Sequence, residues 1–272
     1  MKEKIVFFGS GPYVRTIVAS LSEAFDIPLV VTTEIKPNLP EGLNFISVSK
    51  FTPETIEKIK SLNCNVAVLA SFGIIVPGEV LNLFRLGIIN IHPSLLPLYR
   101  GPTPGQTALL NGDKKTGVSI MKLDSEIDHG PILVQEEAKI ESNDTSDSLY
   151  KKLFQQGAQL LVRTLPNYLN GELAPFEQDH SKATSTEHLS RESGFIDIND
   201  ERRATSEELD TMIRAYYPWP GVWFKTRLNG VERIVKLLPE QKIQVEGKNV
   251  MALSDFLNGY PEGENIIRQL GL

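Results

Sequence analysis

The sequence predicts an α/β fold: a doubly wound, mostly parallel β-sheet followed by a small β domain. Short apolar runs at residues 5–8, 27–31, 66–70 and 87–91 read as buried strands, and they alternate with stretches of helical periodicity. The runs are not joined by tight hairpin signals, so crossover connections and parallel pairing are implied. After residue 179 the chain turns polar and poor in aliphatic residues, and a second, shorter pattern follows.

The first run ends in Gly9-Ser10-Gly11, as a strand does on entering a tight turn. Pro12 suits the first turn of a helix, and Val14, Ile17, Val18 and Leu21 recur at helical spacing. Residues 27–31 form the second strand. Thr52-Pro53-Glu54-Thr55 opens a helix with Ile56, Ile59 and Leu62 on its apolar side. Residues 118–121 and 131–140 add later strands, and a helix from about residue 146 to 170 carries Leu149, Leu153, Leu160, Leu161 and Leu165. Together these make one α/β domain over residues 1–178. Residues 179–199 read as a linker crossing the surface. Thr205-Ser206-Glu207-Glu208 has the spacing of a capping box and opens a helix to about Ala215. The stretch YYPWPGVWF (216–224) and strand-like segments at 224–228 and 233–237 then place a small β domain at residues 200–272.

With 272 residues, 41% hydrophobic and 23% charged, the composition is that of a soluble globular chain. Its one cysteine, Cys64, excludes an internal disulfide and fits a reducing, cytoplasmic setting. Cys64 precedes an apolar run, so it reads as buried filler before it reads as a nucleophile. No run approaches the roughly 18 apolar residues of a membrane span, and the N-terminal apolar run is too short for a signal peptide, so no membrane partner and no leader are expected. A net charge of −6 gives no overall attraction to nucleic acid. A local basic face is needed for that. Between residues 214 and 248, Arg214, Lys225, Arg227, Arg233, Lys236, Lys242 and Lys248 outnumber Glu232, Glu240 and Glu246. Such a face suits nucleic-acid phosphates or is simply a solvated β surface. Trp219 and Trp223 among prolines suit a packing knot or a binding platform.

Two places carry candidate chemistry. Gly9-Ser10-Gly11 between a strand and a helix has part of a dinucleotide fingerprint, with Glu34 near the end of the second strand. Val14 stands where the third glycine is needed, so a plain glycine turn explains it as well. The second place is NIHPSLLPLYRG (90–101). In an open parallel sheet ligands sit beyond the carboxyl ends of the strands. Asn90 and His92 are two apart at such an end, so they share a face, with Ile91 turned to the core. Asp124 and Asp128 occupy a later inter-strand loop that leaves through Gly130-Pro131. A carboxylate reaching an imidazole orients the ring and favours its charged form. Taken singly, each is an ordinary surface histidine or turn-forming aspartate. Their gathering at strand ends beside a proline-bounded apolar loop makes a catalytic site the sharper reading. No metal-ligand spacing is present, and no metal is expected.

The pairing of NIHPSLLPLYRG with DSEIDHGPIL (124–133) resembles the formyltetrahydrofolate-dependent formyltransferases, whose motif is N-x-H-x-S-L-L-P with a downstream Asp before a glycine turn. The resemblance covers residues 4–176. The segments 99–124, 183–198, 213–224 and 245–263 are similar to the methionyl-tRNA branch of that family. The resemblance implies a Rossmann-like catalytic domain followed by an abbreviated OB-like β domain. It further implies transfer of a formyl group from 10-formyltetrahydrofolate, the formyl donor and a co-substrate, to the methionine amine of initiator methionyl-tRNA, in a cytoplasmic monomer. Asn90, His92 and Asp128 are then the catalytic residues: Asn90 and His92 donate to the charge on the formyl oxygen, and Asp128 sustains the imidazolium and helps move a proton. Walls for the folate are expected from Phe72, Ile74, Ile75, Val76, Leu95, Leu96, Pro97 and Asp124, with Ser94 fixing the loop; for Phe72, Ile74, Ile75 and Val76 core packing is an equal alternative. Gly9, Ser10, Tyr13, Arg100, Gly101 and Gln106 are expected on the acceptor side.

The sequence departs from that branch at two points. Residues 33–42 (TEIKPNLPEG) are short and hold a single lysine where the branch has a long basic loop, and the β domain is trimmed. Both suit an alternative acceptor, an amino sugar on a nucleotide carrier. The segment at 216–224 and the C-terminal tail favour tRNA. A non-catalytic folate- or RNA-binding protein is the reading from another class, and the intact Asn90, His92 and Asp128 stand against it.

Overall fold

A computed structural model of the chain describes residues 2–199 and 205–271. The expected start of the C-terminal domain at residue 200 lies outside the described residues. The chain divides into two compact units: Met1–Pro104 with Lys115–Lys139 and Tyr150–Thr186, and Gly105–Lys114 with Ile140–Leu149 and Glu187–Leu272. Residues 179–199, expected to be a linker, therefore fall partly in the first unit and, from Glu187, in the second.

The first unit is built on a seven-stranded sheet. Strand β1 (Lys4–Gly9) leads through helix α1 (Val14–Ala24) to β2 (Asp26–Thr32) and β3 (Phe45–Ser47); helix α2 (Pro53–Lys60) then crosses to β4 (Val66–Ala70), and the short α3 (Gly78–Leu81) to β5 (Gly87–His92). After α4 (Pro104–Leu110) come β6 (Lys115–Lys122), β7 (Ile132–Lys139) and the long α5 (Ser146–Leu169). The strand order β3-β2-β1-β4-β5-β6-β7 reverses direction at β1 and β4, which creates the crevice that doubly wound sheets use for ligands. Strands β1 to β5 pair in parallel, and β5–β6 and β6–β7 are antiparallel.

The run VAVLA is buried at every residue of β4, and β5 is likewise buried throughout, as expected of strands covered on both faces. One face packs Val6, Phe8, Leu29, Val31, Ala67, Leu69 and Ile88 onto Ile56 and Ile59 of α2. Burying a side chain such as Phe8 contributes about 1.5–3 kcal/mol. Thr52 caps α2, its hydroxyl accepting from the Thr55 amide at 3.3 Å. On the opposite face Ile91 and Val118 close on Gly157 of α5; a Cβ there would lie 2.4 Å from Ile91 Cγ2, so only glycine lets the helix approach. This contact turns Ile91 away from the crevice and, by alternation, Asn90 and His92 toward it.

The second unit carries an antiparallel sheet in the order β11-β10-β9-β8: β8 (Val222–Leu228), β9 (Val231–Leu238), β10 (Lys242–Val245) and β11 (Met251–Ala252). Helix α6 (Ser206–Tyr216) starts at the capping box that the sequence predicts, with Glu208 N to Thr205 Oγ1 at 3.2 Å and Thr205 N to Glu208 Oε2 at 2.8 Å. The tail forms two short helices, α7 (Leu253–Gly259) and α8 (Gly263–Gln269), which the sequence reading leaves unassigned. Trp223 is buried, donates its indole N–H to the Arg191 carbonyl at 3.0 Å and lies 4.8 Å from the Phe195 ring, so it is a packing residue; Trp219 is 55% exposed. Among the described residues no helix is long and apolar enough to cross a membrane.

Candidate active site

Asn90 and His92 end β5 on one face, 5% and 4% exposed. Residue 128 lies in the loop from β6 to β7, with φ of +49°, a conformation that costs an L-residue energy but that aspartate tolerates better than most. That turn carries its carboxylate back to the strand end. Asn90 Nδ2 donates to Asp128 Oδ1 at 3.3 Å, the Gly101 amide donates to Asp128 Oδ2 at 2.8 Å, and His92 Nδ1 lies 3.5 Å from the same oxygen. The other imidazole nitrogen, Nε2, is 3.0 Å from the Tyr99 carbonyl. A carbonyl only accepts, so Nε2 carries a hydrogen. The site is thus an amide donor, an imidazole and a carboxylate converging at the end of a strand, mostly withdrawn from water, where such interactions are stronger than in bulk solvent.

The loop after His92 is held from several sides. Ser94 is fully buried and donates to the Leu98 carbonyl at 2.7 Å, which makes it a loop-fixing residue. Ser119 of β6, opposite His92 in register, donates to the Ser94 carbonyl at 2.6 Å and accepts from the Leu96 amide at 3.0 Å. Gln135 Nε2 donates to Ser119 Oγ and to the Leu96 carbonyl, each at 2.8 Å. Leu96 packs on Met121 and Ile132; Leu95 and Pro97 are half-buried. Residues 184–186 lie along the far side of the loop: Arg100 N donates to the Thr184 carbonyl at 2.8 Å, Thr186 N to the Arg100 carbonyl at 2.7 Å, and Tyr99 N to Thr184 Oγ1 at 2.8 Å.

Phe72, Ile74 and Val76 pack on the core beside α2, Phe72 meeting Phe8 edge-on at 5.7 Å, whereas Ile75 is 81% exposed. Asp124 does not meet His92; it accepts from the Glu126 amide at 2.9 Å and pairs with His129 Nδ1 at 2.7 Å. The His129 ring stacks on that of His180 at 4.1 Å. Gly9 is buried at the end of β1, where a Cβ would lie 2.8 Å from the Ala70 carbonyl. Ser10 Oγ accepts from Thr33 N at 2.9 Å and Thr33 Oγ1 at 2.8 Å, tying the first turn to the end of β2. Tyr13 stacks on Phe154 of α5 at 5.3 Å. The Arg100 guanidinium reaches Gln178 Oε1 and His180 Nδ1, at 2.7 and 2.8 Å from Nη2. Gln106 lies half-buried on α4, in the second unit. Cys64 is buried, and burial pushes its thiol up, so it is filler and not a nucleophile. Among the described residues no cluster could hold a metal ion. Ser119, Gln135, Gln178, Thr184 and Thr186 escaped the sequence reading, because no local pattern marks a side chain whose partner is set by tertiary placement.

The chain is similar to proteins of one family. Residues 9–165 match the family described as formyl transferase. The methionyl-tRNA formyltransferase of Chloroflexus aggregans is 39% identical over 237 residues, covering 81% of this chain and 75% of that protein. That of Caldicellulosiruptor saccharolyticus is 32% identical over 309 aligned positions, covering 94% of this chain and 96% of that protein. Those 309 positions exceed the 272 residues here, so the relative carries segments that this chain lacks. The solved structures of a 4-N formyltransferase from Francisella tularensis (TM-score 0.68, 21% identity, 88% of this chain and 98% of that one) and of a methionyl-tRNA formyltransferase from Clostridium thermocellum (0.62, 18%, 92% and 98%) share the fold.

Proposed function

The chain belongs to the methionyl-tRNA formyltransferase family, and from that premise we propose that it transfers a formyl group from 10-formyltetrahydrofolate to the methionine amine of initiator methionyl-tRNA. The observation that carries the chemistry is the convergence of Asn90, His92 and Asp128 at the end of β5. The formyl donor supplies the one-carbon unit and a nitrogen leaving group. A pterin suits the loop of Leu95, Leu96 and Pro97, which is held by Ser94, Ser119 and Gln135; the exposed Ile75 and the half-buried Asp124 are assigned to it as apolar and polar contacts.

Each residue then has one task. An amide nitrogen carries two hydrogens; Asp128 takes one from Asn90 and the other donates to the formyl oxygen as negative charge gathers there. His92, anchored through Nε2 to the Tyr99 carbonyl, adds a positive charge beside that oxygen. Asp128 accepts the proton that the attacking amine sheds and returns it to the departing nitrogen, so no net proton is lost and no covalent enzyme intermediate is needed. Gly9, Ser10, Tyr13, Arg100, Gly101 and Gln106 are assigned to the acceptor side. On the small sheet, Lys225 and Arg227 alternate on one face of β8, exposed, and Lys236 lies across from Trp223 on β9; they suit tRNA phosphates. We assign residues 1–178 to catalysis, 179–199 to a linker and 200–272 to the tRNA-contacting domain of a cytoplasmic monomer.

A second reading, formylation of an amino sugar on a nucleotide carrier, is favoured by the short, lysine-poor segment at residues 33–42 and by the trimmed β domain. Offering the purified protein 10-formyltetrahydrofolate with charged initiator tRNA or with a nucleotide-linked amino sugar, and weighing the products, separates the two. Formylated methionyl-tRNA is expected; formylation of the sugar alone would overturn the tRNA reading.

A further inference from the structure

We propose that Gln178 is a positioning residue for the transfer reaction, clamping together the two loops that hold Asp128. The inference rests on the formyl-transfer reading above and adds to it a residue outside the strand-end motif.

Gln178 is 5% exposed, and its amide is engaged on all sides. Nε2 spends both hydrogens on carbonyls of the Asp128 loop, the Asp128 oxygen at 2.9 Å and the Gly130 oxygen at 2.7 Å. Oε1 accepts from Arg100 Nε at 3.2 Å and Nη2 at 2.7 Å. Only one orientation of the amide fits, because carbonyls require donors and a guanidinium requires an acceptor. The clamp joins the β6–β7 loop, where Asp128 sits at positive φ, to the loop after β5. Arg100 stands between the two peptide groups that touch the catalytic side chains: the Tyr99 carbonyl receives His92 Nε2 and the Gly101 amide meets Asp128 Oδ2. Gly130 completes the clamp. A Cβ there would lie 2.1 Å from the Lys122 carbonyl, so the loop exit is pressed against β6. Gln178 thus holds the backbone of Asp128 while Gly101 and Asn90 hold its carboxylate. It touches no reacting atom and acts through Asp128. Glutamate would set an anion against two carbonyls, methionine offers neither donor nor strong acceptor, and asparagine is one methylene short of spanning both loops.

The test is a double-mutant cycle between Gln178→Met and Asp128→Asn, read as kcat on whichever acceptor the wild type formylates. Gln178→Met should lower kcat roughly 10- to 100-fold, as a misplacement of about 1 Å does, with KM for both co-substrates within about twofold. In the Asp128→Asn background the same substitution should change kcat by less than about threefold, because the group it positions is already disabled. Full additivity, or a Gln178→Met enzyme with wild-type kcat, would overturn the proposal. A purely structural role predicts loss of stability with additive kinetics. Gln178→Glu serves as the second variant if Gln178→Met folds poorly. A crystal structure of either variant reads the geometry without turnover: Asp128 Oδ2 displaced from the Gly101 amide supports the clamp, and an undisturbed contact refutes it. A wild type inert toward methionyl-tRNA but active on the sugar refutes the acceptor reading alone, and the cycle is then read on the sugar.

Discussion

His92 Nδ1 lies 3.5 Å from Asp128 Oδ2, and the same carboxylate takes hydrogen bonds from Asn90 and from the Gly101 amide. A charge held by three groups in a half-dry pocket is preorganised and needs little rearrangement as the reaction proceeds. On the proposed mechanism His92→Ala removes the imidazole held between Asp128 and the Tyr99 carbonyl and should lower kcat by about 10²- to 10⁴-fold, with the far-ultraviolet dichroism unchanged. Asp128→Asn keeps an acceptor for Gly101 but cannot serve as the proton acceptor of the proposed mechanism, so a fall of similar order, about 10²-fold or more, is expected. Steady-state turnover at saturating co-substrates measures both. Near-normal kcat in His92→Ala would refute the role assigned to it.

Ser119 lies opposite His92 and supports the reactive loop through one hydroxyl. It donates to the Ser94 carbonyl and receives the Leu96 amide and Gln135, all in a fully buried position. Ser119→Ala leaves the Leu96 N–H without its acceptor and should destabilise the protein by about 1–3 kcal/mol. Urea unfolding gives the number, and turnover should fall with it because the loop loses its anchor. An unchanged midpoint would mean that the loop is fixed chiefly by its neighbours Ser94 and Gln135.

Much of this arrangement is legible in the sequence where a short-range rule governs it. Asn90 and His92 share a face because a strand has a period of two, and Thr205 and Glu208 meet because a helix begins there. Strands β1, β2, β4 and β5 announce themselves as apolar runs bounded by turns. The seven-residue helices α7 and α8 do not, since two turns carry too little periodicity to be distinguished from an apolar coil. Residues 184–186 read as polar linker because their bonds are to backbone groups more than eighty residues away, a pairing that composition cannot encode. The same holds for Gln178, whose four hydrogen bonds go to three residues on two distant loops. The residues expected to wall a folate divide for a similar reason: Phe72 and Ile75 are both large and apolar, and only the course of the loop sends one onto the core and leaves the other exposed.

Gly101 has φ of +102°, and a Cβ there would lie 3.0 Å from both the carbonyl and the hydroxyl oxygen of Thr186. Alanine at that backbone conformation costs about 1–2 kcal/mol, before Thr186 is pushed away. Gly101→Ala should therefore lower the unfolding midpoint modestly and kcat more strongly, because the Gly101 amide that holds Asp128 moves with the strained loop. Gly101→Ala combined with Thr186→Gly removes the hydroxyl contact but leaves the strain. Partial recovery of kcat in that pair identifies the crowding contribution, and a Gly101→Ala enzyme with full activity would show that the loop relaxes freely.

Cys64 links burial to pH. Its side chain is 7% exposed at the entry to β4, and desolvation pushes its thiol up, with the nearby Lys4 ammonium pulling more weakly the other way. The folded chain thus favours the neutral thiol more than the unfolded chain does. That contribution is fully present below the unfolded thiol pKa of about 8.5 and is lost as pH rises through the higher folded value. The stability difference between the wild type and Cys64→Ala should be flat up to about pH 8 and shift against the wild type above about pH 9. Urea midpoints of the two proteins at matched pH supply the measurement, and native-state thiol titration should show Cys64 reacting only on unfolding. A difference independent of pH across that window would contradict the burial argument.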